Sequence, residues 1–319
     1  MTGLIPNLTF AYILDLFLGD PQWFPHPVRL IGFFIERGEK FFRKWIASEW
    51  LAGAVLTVGL TALSFAATHA LLKILSGYST VLSAAAEIFI LYCCLSTKDL
   101  AVESLRVKNA LKSQDIASAR NKLSWIVGRD TDRLDEKEMV RATVETVAEN
   151  TVDGIVSPLF FAVLGGAPLA IAYKTINTLD SMIGHKNEKY ILFGRIAARI
   201  DTAVNWIPAR ISGFLFPIAA GILNFSMKKS YNAAWKEGAK SGVPNSGIPE
   251  AAMAGALQIQ LGGLNFYKGK ASETSKLGDP VRPLSVQNID ESICVMYAAS
   301  ILFFLFSLSA RLILEKVFL

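Results

Sequence analysis

The sequence predicts an all-α, polytopic integral membrane protein with broken or re-entrant helices and cytoplasmic helical segments. Two observations carry this. Of 319 residues, 52% are hydrophobic and 18% charged, with a mean hydropathy of +0.38, whereas soluble domains carry about 25% charge. Leu51 to Leu72 and Ile293 to Ala310 hold no charged residue and Val81 to Thr97 only Glu87. Each run approaches the ~20 apolar residues that cross a bilayer. A large soluble protein with buried core helices is the competing class.

A single membrane-embedded domain over residues 1–319 follows, with apolar helices near 4–18, 51–75, 80–97, 154–173, 204–225 and 293–313. The first is interrupted by Asp15 and lacks a basic leader and a small-residue cleavage site, so it reads as a retained membrane-associated helix. The polar segments near 20–50, 98–150 and 226–292 read as cytoplasmic. Lys98 to Arg141 holds ten Lys and Arg, Arg29 to Lys44 holds five, and the linker Ser76 to Thr80 between two apolar runs holds none. The positive-inside rule places the basic segments in the cytoplasm, on the inner face of the cell membrane, and the linker outside.

Within 98–150, Asp135 followed by Glu138 has the spacing of a capping box, which predicts a helix from about Glu136. The block 226–292 contains KSGVPNSGIPE and LGGLNFYKGKAS, rich in loop formers, and reads as a surface-lying segment. Ile155 to Ile171 is broken by Pro158, Gly165, Gly166 and Pro168, and the next polar stretch carries Lys174, Lys186, Lys189, Arg195 and Arg199. Five charges on the outer face would break the rule, so the expectation is either a broken or re-entrant helix pair that returns to the cytoplasmic side or an ordinary span that is an exception to the rule. Irregular backbone survives at membrane depth where it lines a cavity.

Chemistry concentrates beside that run. In ETVAENTVDG, Glu145, Glu149 and Asp153 fall within about 80° of one helical face, with Asn150 between them. In YKTINTLDSMIGH, Lys174, Asn177, Asp180 and Ser181 recur at spacings of three and four. RIAARIDTAVNWIPAR then supplies Arg195, Arg199, Asp201, Asn205 and Arg210. Ions beside apolar runs must be paired, hydrated or at the rim, since each costs about 2.5 to 3.5 kcal/mol at the bilayer centre. Carboxylates with Asn oxygens suit Mg²⁺, and Lys with Arg suit phosphate. The cluster therefore fits a Mg-nucleotide or a phosphorylated substrate, against a reading as interhelical salt bridges.

Other chemistries fit poorly. His26, His69 and His185 are scattered, and Cys93, Cys94 and Cys294 lie in apolar runs without metal-site spacing. The net charge of +5 comes without an aromatic-interleaved basic stripe, so nucleic acid is not an expected partner. Gly263 to Lys270 misses the spacing of a phosphate-binding loop by one residue. GDPQWFPHPVR, from Gly19, sets Asp20, His26 and Arg29 in a proline-flanked loop, and GDPVRP at Gly278 echoes it. The echo is either chance or two loops serving one site.

LDLFLGDP…HPVRLIG, ETVAENTVDGIVSPLFF, KTINTLDSMIGH, FGRIAARIDTAVNWIPAR and the late GDPVRP together resemble the CobD/CbiB family of cobalamin biosynthesis, in order and over nearly the whole chain. The resemblance implies an adenosylcobinamide-phosphate synthase. Such an enzyme joins the free propionate carboxyl of adenosylcobyric acid to aminopropanol, or its phosphate, by ATP-dependent amide ligation. The sequence departs at SPLFF and ARID, where the family more often has Ala before Pro-Leu and a second Asp after Asp201. Neither departure removes a carboxylate.

With that chemistry, Glu145, Glu149, Asp153 and Asp180 are expected to hold Mg²⁺, with Asp201, or to orient the amine, with Asn150, Asn177 and Ser181 assisting. Lys174, Arg195, Arg199 and Arg210 are expected to hold phosphate, with the loop residues Asp20, His26 and Arg29 beside the substrate. One carboxylate would serve as base. Expected partners are the corrinoid, the amine, the lipid bilayer and later membrane enzymes of cobalamin assembly. The alternatives are a transporter or permease, and a non-enzymatic membrane sensor of the beta-lactamase induction protein class.

Overall fold

A computed structural model of the chain describes residues 3–20, 26–185 and 187–318, with side chains through Lys316. Residues 21–25 of the first proline-rich loop and Lys186 lie outside the described residues. The chain is mostly helical. In order the elements are α1 (Leu4–Leu18), α2 (Pro27–Trp45), α3 (Glu49–Tyr78), α4 (Thr80–Cys94), α5 (Thr97–Lys112), α6 (Ile116–Ser124), α7 (Glu136–Thr151) and a π-helical turn (Val152–Val156). There follow α8 (Ser157–Ile183), α9 (Arg195–Val204), α10 (Trp206–Ile222), α11 (Met227–Lys236), α12 (Pro244–Leu257), β1 (Leu261–Tyr267), β2 (Lys270–Leu277) and α13 (Gln287–Phe318).

Four helical stretches are long and apolar enough to cross a membrane: Glu49–Tyr78, Thr80–Lys112, Glu136–Ile183 and Gln287–Lys316. α3 buries Ala52, Gly53, Leu56 and Leu60 but leaves Val55, Val58, Leu63, Leu71 and Ile74 exposed. A helix apolar on its uncovered side as well as its packed side is built for a hydrocarbon solvent. These stretches mark a membrane protein.

The chain forms two compact units, 1–96 with 153–205 and 306–319, and 97–152 with 206–305. In the first, α3 packs on α8, α2, α4 and α9, and α1 packs on α4. Close approach is built in at Gly53, where a Cβ would stand 1.7 Å from the Phe193 carbonyl oxygen. α8 departs from helical geometry at Gly165 and Gly166, the latter at φ +64°, just before Pro168. Glycine is suited to that φ, and the proline cannot donate to the preceding turn.

In the second unit α7 is the central helix, buried continuously from Met139 to Ala148 and packed on α5, α6, α12 and β1. Its capping box forms in both directions: the Glu138 N–H donates to Asp135 Oδ1 (2.8 Å) and the Asp135 N–H to Glu138 Oε2 (3.0 Å). The all-α expectation is corrected here by the antiparallel hairpin β1–β2. Its two-residue turn holds Lys268 at φ +52° and Gly269 at φ +76°, the positive pair that suits the twist of a hairpin. The Asp130 carboxylate accepts from both turn N–H groups, Lys268 at 2.9 Å and Gly269 at 2.7 Å.

Candidate functional site

In the first unit the π turn presents Asp153. Such a turn widens the helix by one residue and is frequent at functional sites. Gly154 permits it, since a Cβ there would meet Ser96 Oγ at 2.2 Å. Asn177, two turns from the end of α8, donates from Nδ2 to Asp153 Oδ2 at 3.2 Å. The Tyr173 hydroxyl lies 3.1 Å from the Asp153 carbonyl oxygen and 3.0 Å from Asn205 Oδ1, so its one proton is shared between two acceptors. Ser157 Oγ donates to the same Asn205 Oδ1 at 2.6 Å. Asn205, just past α9, then donates from Nδ2 to both oxygens of Asp201, at 3.1 Å each.

Asp180 joins this network through the reversal between α8 and α9. A Cβ on Gly194 would lie 1.6 Å from the Ile183 carbonyl oxygen, and one on Gly184 1.9 Å from Asp180 Oδ1. Only glycine at both positions lets the two helix ends close up around the carboxylates. Burial, and then the like charge of Asp180, push the Asp201 carboxyl up to about 6, while the amides of Asn205 and Asn177 restrain the rise. Desolvation and a neighbouring anion both disfavour the ionised form.

Lys174 lies within electrostatic reach of Asp153 and Asp15, and of His26. His26 caps α2, its Nδ1 accepting from the Val28 N–H at 3.3 Å, which leaves Nε2 facing Asp20 at 3.9 Å. Arg29 reaches Asp20 at 3.3 Å. Burial lowers the His26 pKa, Asp20 raises it, and the cations Arg29 and Lys174 lower it further, so the ring favours its neutral form. Asp20, His26, Arg29, Lys174, Asp153, Asn177, Asp180 and Asp201 thus belong to one unit and to linked contacts. Arg195 and Arg199 are exposed and make no ion pair among the described residues. Ser181 is exposed and turns back to its own helix, donating to the Asn177 carbonyl at 2.9 Å.

The second unit holds the other half of the predicted acidic face, with a different arrangement. Glu145 is buried beneath the hairpin. It meets Arg129 Nη2 at 2.6 Å and Arg141 Nη1 at 3.2 Å, and accepts from the Gly262 N–H at 2.7 Å. The two arginines continue into the hairpin: Arg141 donates to the Gly262 and Leu264 carbonyls at 3.0 Å each, and Asn265 Oδ1 receives Arg129 at 2.7 Å and Arg141 at 3.1 Å. Burial opposes the charge on Arg129, but Glu145 outweighs it and holds the pKa above its ordinary value. With both oxygens occupied, Glu145 acts as the clamp that fastens the hairpin to α7.

Glu149 is exposed one turn further on, and Asn150 donates to the Thr146 carbonyl of its own helix at 3.0 Å. Glu250 of α12 faces Glu149 and Glu145. Burial and those two negative charges drive its pKa well above the ordinary range, against the opposing pull of Arg129 and Arg141. Arg210 is held by Asn245 Oδ1 at 2.9 Å and the Trp206 carbonyl at 3.0 Å, over the Trp206 ring. The two echoed loops fall in different units: each places its arginine on a carboxylate, Arg29 on Asp20 and Arg282 on Glu291 at 3.0 Å.

Sequence reasoning passed over Glu250, Arg129, Arg141, Tyr173 and Ser157. Glu250 carried a usable signal, a lone acid in the apolar run IPEAAMAGAL. The arginines looked like members of a solvated basic block, and only the fold turns them inward. Among the described residues no three His, Cys, Asp or Glu side chains converge as a ready-made metal cage. The donors of the first unit, carboxylates with an Asn oxygen, are nevertheless the hard oxygens Mg²⁺ selects. That ion is commonly held by one or two carboxylates, with waters and substrate phosphates completing the shell.

Comparison with known proteins adds the following. The family model described as CobD/Cbib protein matches residues 8–296. A Geobacter metallireducens protein named cobalamin biosynthesis protein CobD is 44% identical over 92% of this chain and 92% of its own length. A Clostridium perfringens protein of the same name is 41% identical over 98% and 99%. The Salmonella arizonae cobalamin biosynthesis protein CbiB is 41% identical over 96% and 97%. No solved structure matches.

Proposed function

The chain belongs to the CobD/CbiB family and so has a role in cobalamin biosynthesis, and from that premise we propose that it is the membrane-bound ligase making adenosylcobinamide phosphate. The reaction joins a corrinoid propionate carboxyl to the amine of aminopropanol or its phosphate at the expense of ATP. A carboxylate oxygen is a poor leaving group. Transfer of the ATP γ-phosphoryl group to it gives an acyl phosphate and ADP, attack by the amine nitrogen forms the amide, and inorganic phosphate departs with the C–O electron pair.

The observation that carries this reading is the first unit's constellation: the neighbouring acids Asp180 and Asp201, the Asn177–Asp153 contact, and the cations Lys174 and Arg29 in linked contacts. Asp201, titrating near 6, is the general base that takes the proton shed by the amine nitrogen as it attacks the acyl phosphate, because it is ionised yet basic near neutral pH. Asp153 and Asp180, with Asn177, would hold Mg²⁺, which when bound neutralises phosphate charge. Lys174 and Arg29 draw phosphate oxygens into place, with the exposed Arg195 and Arg199 free to close on them. His26 remains neutral beside Asp20 and caps α2. In the second unit Glu145 fastens the hairpin to α7.

The test supplies purified full-length protein with a corrinoid acid, aminopropanol phosphate and Mg-ATP and weighs the corrinoid by mass spectrometry. An added aminopropanol phosphate unit with stoichiometric ADP is expected. Asp201→Asn should abolish that product while the protein stays in the membrane. Corrinoid carried across sealed vesicles without ATP cleavage would assign the transporter reading instead.

A further inference from the structure

Helix α2 divides into three faces. Ile31 and Ile35 are buried and Phe42 half-buried on the side packed against α3 and α8. Arg29, Glu36, Lys40, Lys44 and Arg37, with the exposed Phe33 among them, occupy a largely polar sector. Between that sector and the core lies a stripe of Leu30, Phe34, Phe41 and Trp45, which at about 100° per residue spans only about 60° of the helix. All four are exposed, Leu30 at 57%, Phe34 at 46%, Phe41 at 57% and Trp45 at 69%. Water is a poor solvent for such a stripe, and contiguous apolar surface of this kind marks an interaction face.

Two further features define what covers it. Arg37, Lys40 and Lys44 border the stripe and make no ion pair among the described residues, whereas the acids Glu39 and Glu49 are committed to Arg43 and Lys189. Arg37 and Lys44 instead lie over aromatic rings, Arg37 over Phe33 at 5.1 Å and Lys44 over Trp45 at 5.6 Å. This leaves an uncompensated positive edge along an apolar band, with Glu36 as the exposed acid beside it. The stripe also ends where the membrane begins: Trp45 is followed after Ile46 and Ala47 by Ser48, the cap of the spanning helix α3, and Trp50 is exposed at the start of that helix. Tryptophans at the end of a span sit at the headgroup level.

We propose that α2 is an interfacial helix bedded in anionic phospholipid, with Leu30, Phe34, Phe41 and Trp45 among the upper acyl chains and Arg37, Lys40 and Lys44 on the phosphates. Amphipathic helices with basic polar faces and aromatic apolar faces bind in this way, and the attraction depends on anionic lipid. Its consequence is local. α2 is capped by His26 and carries Arg29 in its first turn, so lipid that anchors the helix also holds these two residues in place.

The test uses full-length protein with Cys294→Ser, the exposed cysteine removed, carrying single nitroxide labels at cysteines placed at positions 30, 34, 41 and 45, with position 36 as control. In vesicles of phosphatidylcholine and phosphatidylglycerol, the four stripe positions should collide with oxygen and not with an aqueous nickel chelate, and position 36 should do the reverse. Free access of nickel at all positions would make the face aqueous and overturn the proposal. Loss of both collisions at the stripe would mean that protein covers it, a second copy or another partner, and would also overturn it. Spin-labelled phosphatidylglycerol should be retained in preference to phosphatidylcholine, and R37Q/K40Q/K44Q should weaken that preference about fivefold per charge. No preference in the unaltered protein would remove the anionic-lipid claim. None of these readouts requires turnover, so the result stands whether or not the ligase reading does.

Discussion

Glu145 and Glu250 face each other in one unit, yet they should respond oppositely to the same substitution. Glu145 balances two buried guanidinium groups, so Glu145→Gln leaves positive charge without its partner and should cost about 3 to 5 kcal/mol, read as a lowered unfolding temperature in detergent. Glu250 has a pKa raised well above its usual range by burial and by Glu149 and Glu145. The stability that its neutral form confers is present at low pH and lost as pH rises through the raised folded value. Glu250→Gln mimics the neutral acid, so near neutral pH it should stabilise rather than destabilise, and it should remove that pH-dependent loss. A third residue ties pH to rate. Burial and Asp180 hold the Asp201 carboxyl up at about 6 rather than 3.8, so as the proposed base it should work above about pH 6 and fail below it, while the stability its protonated form gives is lost over the same rise. Activity and stability therefore run against each other at this carboxyl. Asp180→Asn removes the like charge and should move the acidic limb of kcat/KM to lower pH in whatever activity remains. A limb that stays put would mean another group titrates there.

At the scale of elements, hydrophobic runs located the long helices and missed what tertiary contacts create. α3, α4 and α13 were legible because a bilayer demands length and apolarity, and α7 because its capping box is a local interaction between Asp135 and Glu138. The break in α8 was legible from Gly165, Gly166 and Pro168. The hairpin was not. In β2, KASETSKL, every residue but Leu277 is exposed, so the strand has no alternating buried face to read, and its partner β1 is held by Arg129, Arg141 and Glu145 from far along the chain. The acidic face suffered similarly. Helical spacing aligned Glu145, Glu149 and Asp153, but the π turn intervenes, and Glu145 meets arginines that sequence spacing could not assign to it. The hairpin's dependence on distant acceptors makes a prediction. Asp130→Ala withdraws the acceptor of two turn N–H groups, worth about 1.5 kcal/mol at an exposed turn, and should speed hydrogen exchange over residues 261–277 by about tenfold, with α3 unaffected.

For the whole molecule, charge predicts which side of the membrane each end of a span meets. α3 has 30 residues, about 45 Å at 1.5 Å per residue, against a hydrocarbon core of about 30 Å. It can cross with both ends in the headgroup regions. Before it, α2 contributes five of the Lys and Arg residues between Arg29 and Lys44, and after it Ser76 to Thr80 contributes none. Moving that basic segment outward would oppose the positive-inside bias, whereas passing Gly77 outward transfers no charge. Gly77 is surrounded by open space, with nothing within 4 Å of an added Cβ, so a cysteine there should not disturb packing. In intact cells lacking the exposed Cys294, Gly77→Cys should react with a membrane-impermeant maleimide, and Lys40→Cys should react only after permeabilisation. The reverse pattern would put α2 and the loop holding Asp20 and His26 on the outer face, away from cytoplasmic ATP, and would remove the ligase reading together with the orientation.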